Sequence, residues 1–380
     1  MAVNPASWLP LAQTSAHLSG MLDGWMIWCA LAGVSLVGLC VYPAMILRKY
    51  VRIMINIMED AGGPCCDAGD AGRLPGDEVQ FRAADGHLLW GTIMHGRPEG
   101  RRRGMIVFAH EFNSDRTSAR RYCRALIEDG YDVFAFDFRG HGASPTEHGY
   151  KPRQWPSDRE QADVLGAVMF IGDWLERHGR PREIGLYGIS RGGGASILAA
   201  VGLRCVRAIV TDSAFSSDTT MEYLMKRFAT IFATIRVVAE NHPPTFWRFL
   251  RWLLFRECRR RFNCRYPSVR KAARRLKGVP VFLIHGEKDS YIPVAQSQAI
   301  YECVPGPRRL WVVPGAKHNW GILAAPNRYP ARLVRFFSEH LSGGVEARPV
   351  PPTTAVEVPA LAVIGGGHGR AMASTGIRHR

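Results

Sequence analysis

The chain has 380 residues, 47% of them hydrophobic, and a formal net charge of +16. This length allows one domain of roughly 260 residues with a buried core, together with extensions. Its nine cysteines are odd in number and irregularly spaced, which argues against a disulfide framework and suits a reducing compartment. The sequence contains no zinc-type Cys or His pairing, no phosphate-binding loop and no dinucleotide-binding glycine pattern, so no metal and no cofactor are predicted.

The first predicted element is a transmembrane helix over 24–47, after a short N-terminal segment, 1–23. The span contains no charged side chain, and at helical rise it covers the roughly 30 Å hydrocarbon core. Trp25 at one end suits the membrane interface. A cleaved signal peptide competes with this interpretation, but no Lys or Arg precedes the span and the apolar run is too long. Because Arg48 and Lys49 follow directly, the positive-inside rule predicts a single-pass protein whose main domain is cytoplasmic.

A linker is predicted over 48–76, and strands alternate with helices in the domain that follows, 77–342. A hairpin over 79–91 turns at Asp85-Gly86. The alternation predicts an α/β fold in which helices cover both faces of a mostly parallel sheet. Further strands are predicted near 105–109, 132–137, 183–187, 207–212, 280–285 and 309–313. Helices are predicted near 117–129, 158–178, 192–203, 293–302 and 328–341.

The most informative motif follows the strand at 183–187 and reads Gly-Ile-Ser-Arg-Gly, with its serine at Ser190. This is the G-x-S-x-G pattern of a nucleophile elbow. A serine hydroxyl reacts only when it is held beside a base and near donors that stabilise the oxyanion. A sharp turn from strand to helix holds the side chain in that way, and the flanking glycines leave the space that the turn needs.

Two later strands end in residues that would complete a catalytic triad. Asp289 follows the strand near 280–285, and His318 follows the strand near 309–313. Both positions lie beyond the carboxyl ends of strands, where open α/β sheets place their sites. The sequence therefore predicts that His318 takes the proton of Ser190 and that Asp289 orients the imidazole. His285, just before this acid, is predicted to shape the turn.

From about Val79 to Leu341 the sequence resembles the α/β-hydrolase superfamily, and more narrowly its esterase, monoacylglycerol-lipase and serine-aminopeptidase-like members. Besides the serine motif, the segments Phe-Asp-Phe-Arg-Gly-His-Gly-Ala-Ser at 136–144 and His-Gly-Glu-Lys-Asp at 285–289 carry the resemblance. It implies the α/β-hydrolase fold, an acyl-enzyme mechanism and a helical cap inserted over the active site at 216–278.

The predicted oxyanion loop departs from the family pattern, because His110 is followed by Glu111 where the family has glycine. In the family's register, the backbone N–H groups of Phe112 and Arg191 would form the oxyanion hole. A carboxylate beside them would oppose catalysis. We expect Glu111 either to face solvent or to pair with Arg116 or the Arg191 side chain.

The segment 216–278 carries most of the positive charge. Twelve Lys or Arg residues and one acid, Glu257, lie between Arg248 and Lys277. A helical wheel over 246–259 places arginines on one side and Phe, Trp and Leu on the other. Such a helix either lies on an anionic bilayer or packs as an ordinary cap helix with a solvated basic face. Nucleic-acid binding is not predicted, because no motif supports it.

Together these patterns predict a membrane-anchored serine hydrolase that cleaves a carboxylic ester of a lipid-like or acyl-chain substrate. An amide or peptide hydrolase, or an acyltransferase, would use the same triad. A catalytically weak membrane scaffold is an alternative of another class. The predicted partners are the acyl-ester substrate and the lipid bilayer, through 24–47 and the basic cap. The tail, 343–380, is rich in Gly, Pro, Ala and Thr and is predicted to be disordered.

Overall fold

A computed structural model of the chain describes residues 9–59, 73–96, 103–232 and 242–341. Several predicted features lie wholly or partly outside these residues. They are the tail 343–380, the start of the N-terminal segment, most of the predicted linker after Glu59, and part of the inserted segment after Phe232.

Within the described residues, eight strands form one sheet in the order β1-β2-β4-β3-β5-β6-β7-β8. β2 is antiparallel to both of its neighbours, and the other pairs are parallel. β4, β5 and β7 are buried along their whole length, as expected for strands covered on both faces. The strands are β1 (Asp77–Arg82), β2 (Leu88–Met94), β3 (Gly104–Ala109), β4 (Tyr131–Phe136), β5 (Ile184–Ile189), β6 (Val206–Asp212), β7 (Val281–Gly286) and β8 (Arg308–Val313).

Helices pack on both faces of this sheet and form two hydrophobic cores. α3, α4, α7 and α8 contribute to one core, and α2 and α10 contribute to the other. The predicted, mostly parallel α/β architecture is therefore confirmed. The helices are α1 (Leu9–Glu59), α2 (Ala119–Glu128), α3 (Asp158–Arg177), α4 (Arg191–Ala199), α5 (Ser217–Phe232), α6 (Pro244–Phe262), α7 (Val269–Ala273), α8 (Val294–Tyr301), α9 (Gly321–Ala324) and α10 (Arg328–His340).

The predicted elements correspond closely to the observed ones, and the hairpin turns at Asp85-Gly86 as predicted. α3 begins where a capping box places it, since Ser157 and Glu160 cap each other's backbone N–H groups. α4 ends at Ala199, earlier than predicted. The reason is Gly202, whose φ of 84° is incompatible with a continued helix.

α1 contains the stretch Trp25–Glu59, which is long and apolar enough to cross a membrane. Length and composition alone support this, and a signal sequence near the N-terminus would pass the same test. The helix also continues beyond the predicted span, so residues 48–59 are helical and not linker. Met54 and Met58 explain the extension, because both are buried in a third hydrophobic cluster that includes α6.

The segment between β6 and β7 contains α5, α6 and α7, and α6 buries most of the apolar side that the helical wheel predicts. Leu250, Leu254 and Cys258 are buried at helical spacing. Phe249 belongs to the apolar side of the predicted helical wheel, but it is 48% exposed. Trp252 is 54% exposed. α6 therefore buries the stripe that contains Leu250 and Leu254 and exposes two aromatic side chains, Phe249 and Trp252, among its arginines.

Candidate active site

The structure brings Ser190, Asp289 and His318 together at one edge of the sheet. They follow β5, β7 and β8, which are parallel, so their carboxyl ends lie side by side with that of β6. Ser190 Oγ is 2.9 Å from His318 Nε2, and His318 Nδ1 is 2.6 Å from Asp289 Oδ2. The three side chains form a continuous chain of hydrogen bonds.

Ser190 lies on a strained turn between β5 and α4. Its φ of 52° and ψ of −115° form a combination that non-glycine residues rarely adopt. The backbone N–H of Ser190 donates to the Asp212 carbonyl at 2.7 Å, and this hydrogen bond holds the turn. Gly192 is also required, since a Cβ there would lie 2.2 Å from the Ala109 carbonyl oxygen. The serine motif thus presses the start of α4 against the end of β3.

Asp289 is fixed by donors on both carboxylate oxygens. Oδ1 accepts the N–H groups of Tyr291 at 3.0 Å and Ile292 at 2.8 Å, while Oδ2 faces His318 and His285. Burial raises the pKa of this carboxyl, but hydrogen bonds from His285 and His318 outweigh burial and hold the pKa below its usual value. Asp289 is therefore an anion at neutral pH.

The loop after β3 is locked by His110. Its Nδ1–H donates to the Glu111 carbonyl at 2.6 Å, and its Nε2 accepts the N–H of Phe138 at 3.2 Å. Burial, and then the charge of Arg191, lower the pKa of His110 to about 3. The ring is therefore neutral, and its single proton lies on Nδ1. This tautomer ties the predicted oxyanion loop to the loop after β4.

Glu111 adopts neither of the expected arrangements. Its side chain is buried, with the residue 8% exposed, and it accepts a hydrogen bond from Ser118 Oγ at 3.3 Å. Arg116 is bound instead to Asp137 and Thr92. Burial raises the pKa of Glu111, which favours the protonated, uncharged form. Burial thus weakens the electrostatic conflict that a glutamate would otherwise create beside an oxyanion.

The Arg191 side chain has a structural role that the sequence motif does not reveal. It is fully buried, donates to the Arg153 carbonyl at 3.0 Å and lies 3.5 Å from a Glu160 oxygen. Its guanidinium also stacks over the rings of Phe112 at 5.0 Å and Phe138 at 4.9 Å. The stack holds the Phe112 loop against the first turn of α4. The Arg191 N–H is the first of that helix and has no intrahelical acceptor.

No group of three or more His, Cys, Asp or Glu side chains that could hold a metal ion occurs in the part of the chain that the structure describes.

A family model described as serine aminopeptidase, S33, matches residues 100–274. YfhR of Escherichia coli strain K12 is 25% identical over 247 residues, which cover 64% of this chain and 73% of that protein. A thiohydrolase, AneE of Aspergillus aculeatus, is 24% identical over 311 residues, covering 70% of this chain and 94% of its own.

The Pyrococcus furiosus esterase Pf2001 matches the structure with a TM-score of 0.51 and 23% identity, over 70% of this chain and 93% of that one. This structural likeness shows the fold. Together with the family model over residues 100–274, it shows that the chain has the α/β-hydrolase fold.

The contact between Gly192 and β3 generates a first prediction. Gly192→Ala should distort the turn, lower the free energy of unfolding by roughly 1–3 kcal/mol and abolish reaction of Ser190 with a fluorophosphonate probe. Gly306→Ala is the matched control, since its Cβ would meet nothing closer than 3.6 Å. Thermal unfolding and probe labelling measure both variants. Full labelling of Gly192→Ala would contradict the account of the turn.

The buried carboxyl of Glu111 generates a second prediction. Unfolded Glu111 loses its proton above a pH of about 4.3, whereas the folded protein keeps it to higher pH. Rising pH therefore lowers the free energy of unfolding of the parent through this residue. Glu111→Gln has no proton to lose at this position. In denaturant titrations, we expect the free energy of unfolding of the parent to fall relative to that of Glu111→Gln as the pH rises above about 4.3. A difference that is constant over this range would show that Glu111 is not protonated by burial.

Proposed function

We propose that this protein is a serine hydrolase that cleaves a carboxylic ester through an acyl-enzyme. The observation that carries the proposal is the hydrogen-bonded chain from Ser190 Oγ through His318 to Asp289. An exposed serine with no base has no comparable reactivity. The strained turn at Ser190 and the raised pKa of Glu111 support the same conclusion.

In the first step, Ser190 Oγ attacks the acyl carbonyl while His318 Nε2 accepts the hydroxyl proton. The Nδ1–H then donates to the Asp289 carboxylate, which stabilises the imidazolium. The N–H groups of Phe112 and Arg191 are the proposed donors to the oxyanion. The tetrahedral intermediate collapses, and the alcohol leaves with the proton from Nε2. Water, activated by the same nitrogen, releases the acid and regenerates Ser190.

A thioester is the second candidate substrate. The Aspergillus relative is called a thiohydrolase, and it matches this chain over 94% of its own length. A thioester would pass through the same acyl-enzyme, with a thiol as the leaving group. Comparing oxygen and sulfur esters of one acyl chain would separate the two classes.

We also propose that the chain is anchored in a membrane by residues 24–47, with the hydrolase domain in the cytoplasm. The exposed apolar side chains of α1 and the basic residues after it support this topology. An enzyme held at the bilayer meets lipids and acyl-chain esters at high local concentration. This location is the reason for proposing a lipid-like substrate.

The exposed face of α6 supports contact with an anionic bilayer. Phe249 and Trp252 stack on each other with ring centres 5.9 Å apart, and Arg256 lies over Trp252 at 5.5 Å. α6 is tied to the anchor, since Cys258 Sγ is 3.3 Å from Met58 Sδ. At helical rise, Met58 lies about 16 Å beyond the end of the proposed span. Met58 itself therefore lies beyond the headgroup layer, so contact with the bilayer depends on α6, whose aromatic and basic side chains suit an anionic surface.

The triad generates a third prediction. Ser190→Ala should lower ester turnover by several orders of magnitude and abolish fluorophosphonate labelling, because it removes the hydroxyl that is hydrogen-bonded to His318 Nε2. Ser338→Ala is the matched control, since Ser338 lies on the exposed side of α10 and bonds only within its own helix. Thermal unfolding should match the parent for both variants. Labelling of Ser190→Ala at the parent's rate would contradict the assignment.

The aromatic pair on α6 generates a fourth prediction. In nanodiscs containing phosphatidylglycerol, Trp252 of the full-length chain should be protected from hydroxyl-radical oxidation, and high salt should remove the protection. Trp320 is 52% exposed and serves as the internal control. In phosphatidylcholine nanodiscs both residues should react. Replacing Arg248, Arg256 and Arg259 by Gln should reduce protection of Trp252 alone. Equal oxidation of Trp252 in both lipids would leave α6 as a solvated cap helix.

A further inference from the structure

A second histidine contacts the proposed catalytic acid. His285 lies near the end of β7 and is fully buried. Its Nε2 is 3.2 Å from Asp289 Oδ2 and 2.8 Å from the Ile292 carbonyl oxygen. Its Nδ1 is 2.7 Å from Ser297 Oγ on α8. The ring therefore joins β7, the turn that carries Asp289, and α8.

The hydrogen-bond partners determine where the proton of His285 lies. A carboxylate and a carbonyl only accept hydrogen bonds, so Nε2 must carry hydrogen. Nδ1 is 2.7 Å from Ser297 Oγ, whose hydroxyl donates to the Ala214 carbonyl at 3.0 Å. The hydrogen on Nε2 lies between the Ile292 carbonyl at 2.8 Å, its closer acceptor, and Asp289 Oδ2 at 3.2 Å, so His285 faces Asp289 as a donor.

Two imidazole N–H groups consequently approach the same oxygen. Asp289 Oδ2 faces Nδ1 of His318 at 2.6 Å and Nε2 of His285 at 3.2 Å, while Oδ1 accepts two backbone N–H groups. We propose that His285 is a positioning residue that holds Oδ2 against His318 and shares the carboxylate's charge between the two rings. The proposal rests on the proposed serine-hydrolase function.

Sharing the charge limits how strongly Asp289 stabilises the imidazolium form of His318. Loss of the His285 donor would concentrate the negative charge on His318, so that the imidazolium would persist to higher pH. Asp212 is the other carboxyl that faces both histidines. It is buried and bound by Tyr329 and Ser213 hydroxyls, and it is unchanged in the variants below. It therefore does not affect the comparison.

The test compares His285→Phe, which fills the space without a donor, with His285→Gln, which keeps an N–H near the position of Nε2. Histidines of the full-length chain in detergent micelles are labelled with ¹³C, and the His318 signal is assigned by its loss in His318→Gln. We expect His285→Phe to raise the NMR titration midpoint of His318 by about half a unit or more, and His285→Gln to restore the parent value. The acid limb of the fluorophosphonate labelling rate should shift equally.

An unchanged His318 midpoint in His285→Phe would overturn the proposal, as would slower labelling at every pH without a shift, which is the result of a purely structural role. If His285→Phe does not fold, the smaller His285→Leu, which also lacks a donor, gives the decision. It should raise the midpoint in the same direction, and no change would refute the role of His285. If the fluorophosphonate does not label the parent protein at all, the hydrolase proposal fails. The NMR titration midpoint of His318 still tests the role of His285 in that case.

Discussion

The backbone of Ser190 depends on the strands on either side of β5. Its N–H donates to the end of β6 at Asp212, while Gly192 lies against the end of β3 at Ala109. These contacts hold a conformation that costs on the order of 1–3 kcal/mol in isolation. The parallel sheet offsets this cost through its buried strands, and the carboxyl ends of β7 and β8 bring Asp289 and His318 to the same edge. The reactive geometry is thus a consequence of sheet order.

Local patterns account for what was predictable from the sequence. Apolar runs and turn residues located the strands, and the order of Ser190, Asp289 and His318 indicated a shared edge. What was missed depends on contacts between residues distant in the chain. Glu111 is buried beside Ser118, and the Arg191 side chain reaches the loop at Arg153. The helical wheel of α6 also failed at Phe249, because only packing decides which edge of an apolar arc is buried.

Burial and hydrogen bonds shift the pKa values of several groups at the site. Asp289 remains anionic through its donors, while burial neutralises His110 and favours protonated Glu111. The buried Arg191 cation is directed at aromatic rings and a carbonyl. Charge that develops on an oxyanion would therefore meet few competing anions. α1 and α6 lie outside this network and are joined to the domain through the cluster around Met58.

Detection of the acyl-enzyme tests the central claim most directly. The full-length protein is mixed rapidly with a medium-chain p-nitrophenyl ester, quenched in acid and digested, and the peptide masses are measured. The account predicts a burst of p-nitrophenol and an acyl adduct on the peptide that contains Ser190, with neither in Ser190→Ala. Steady ester turnover with no adduct, or with the adduct on another residue, would contradict it.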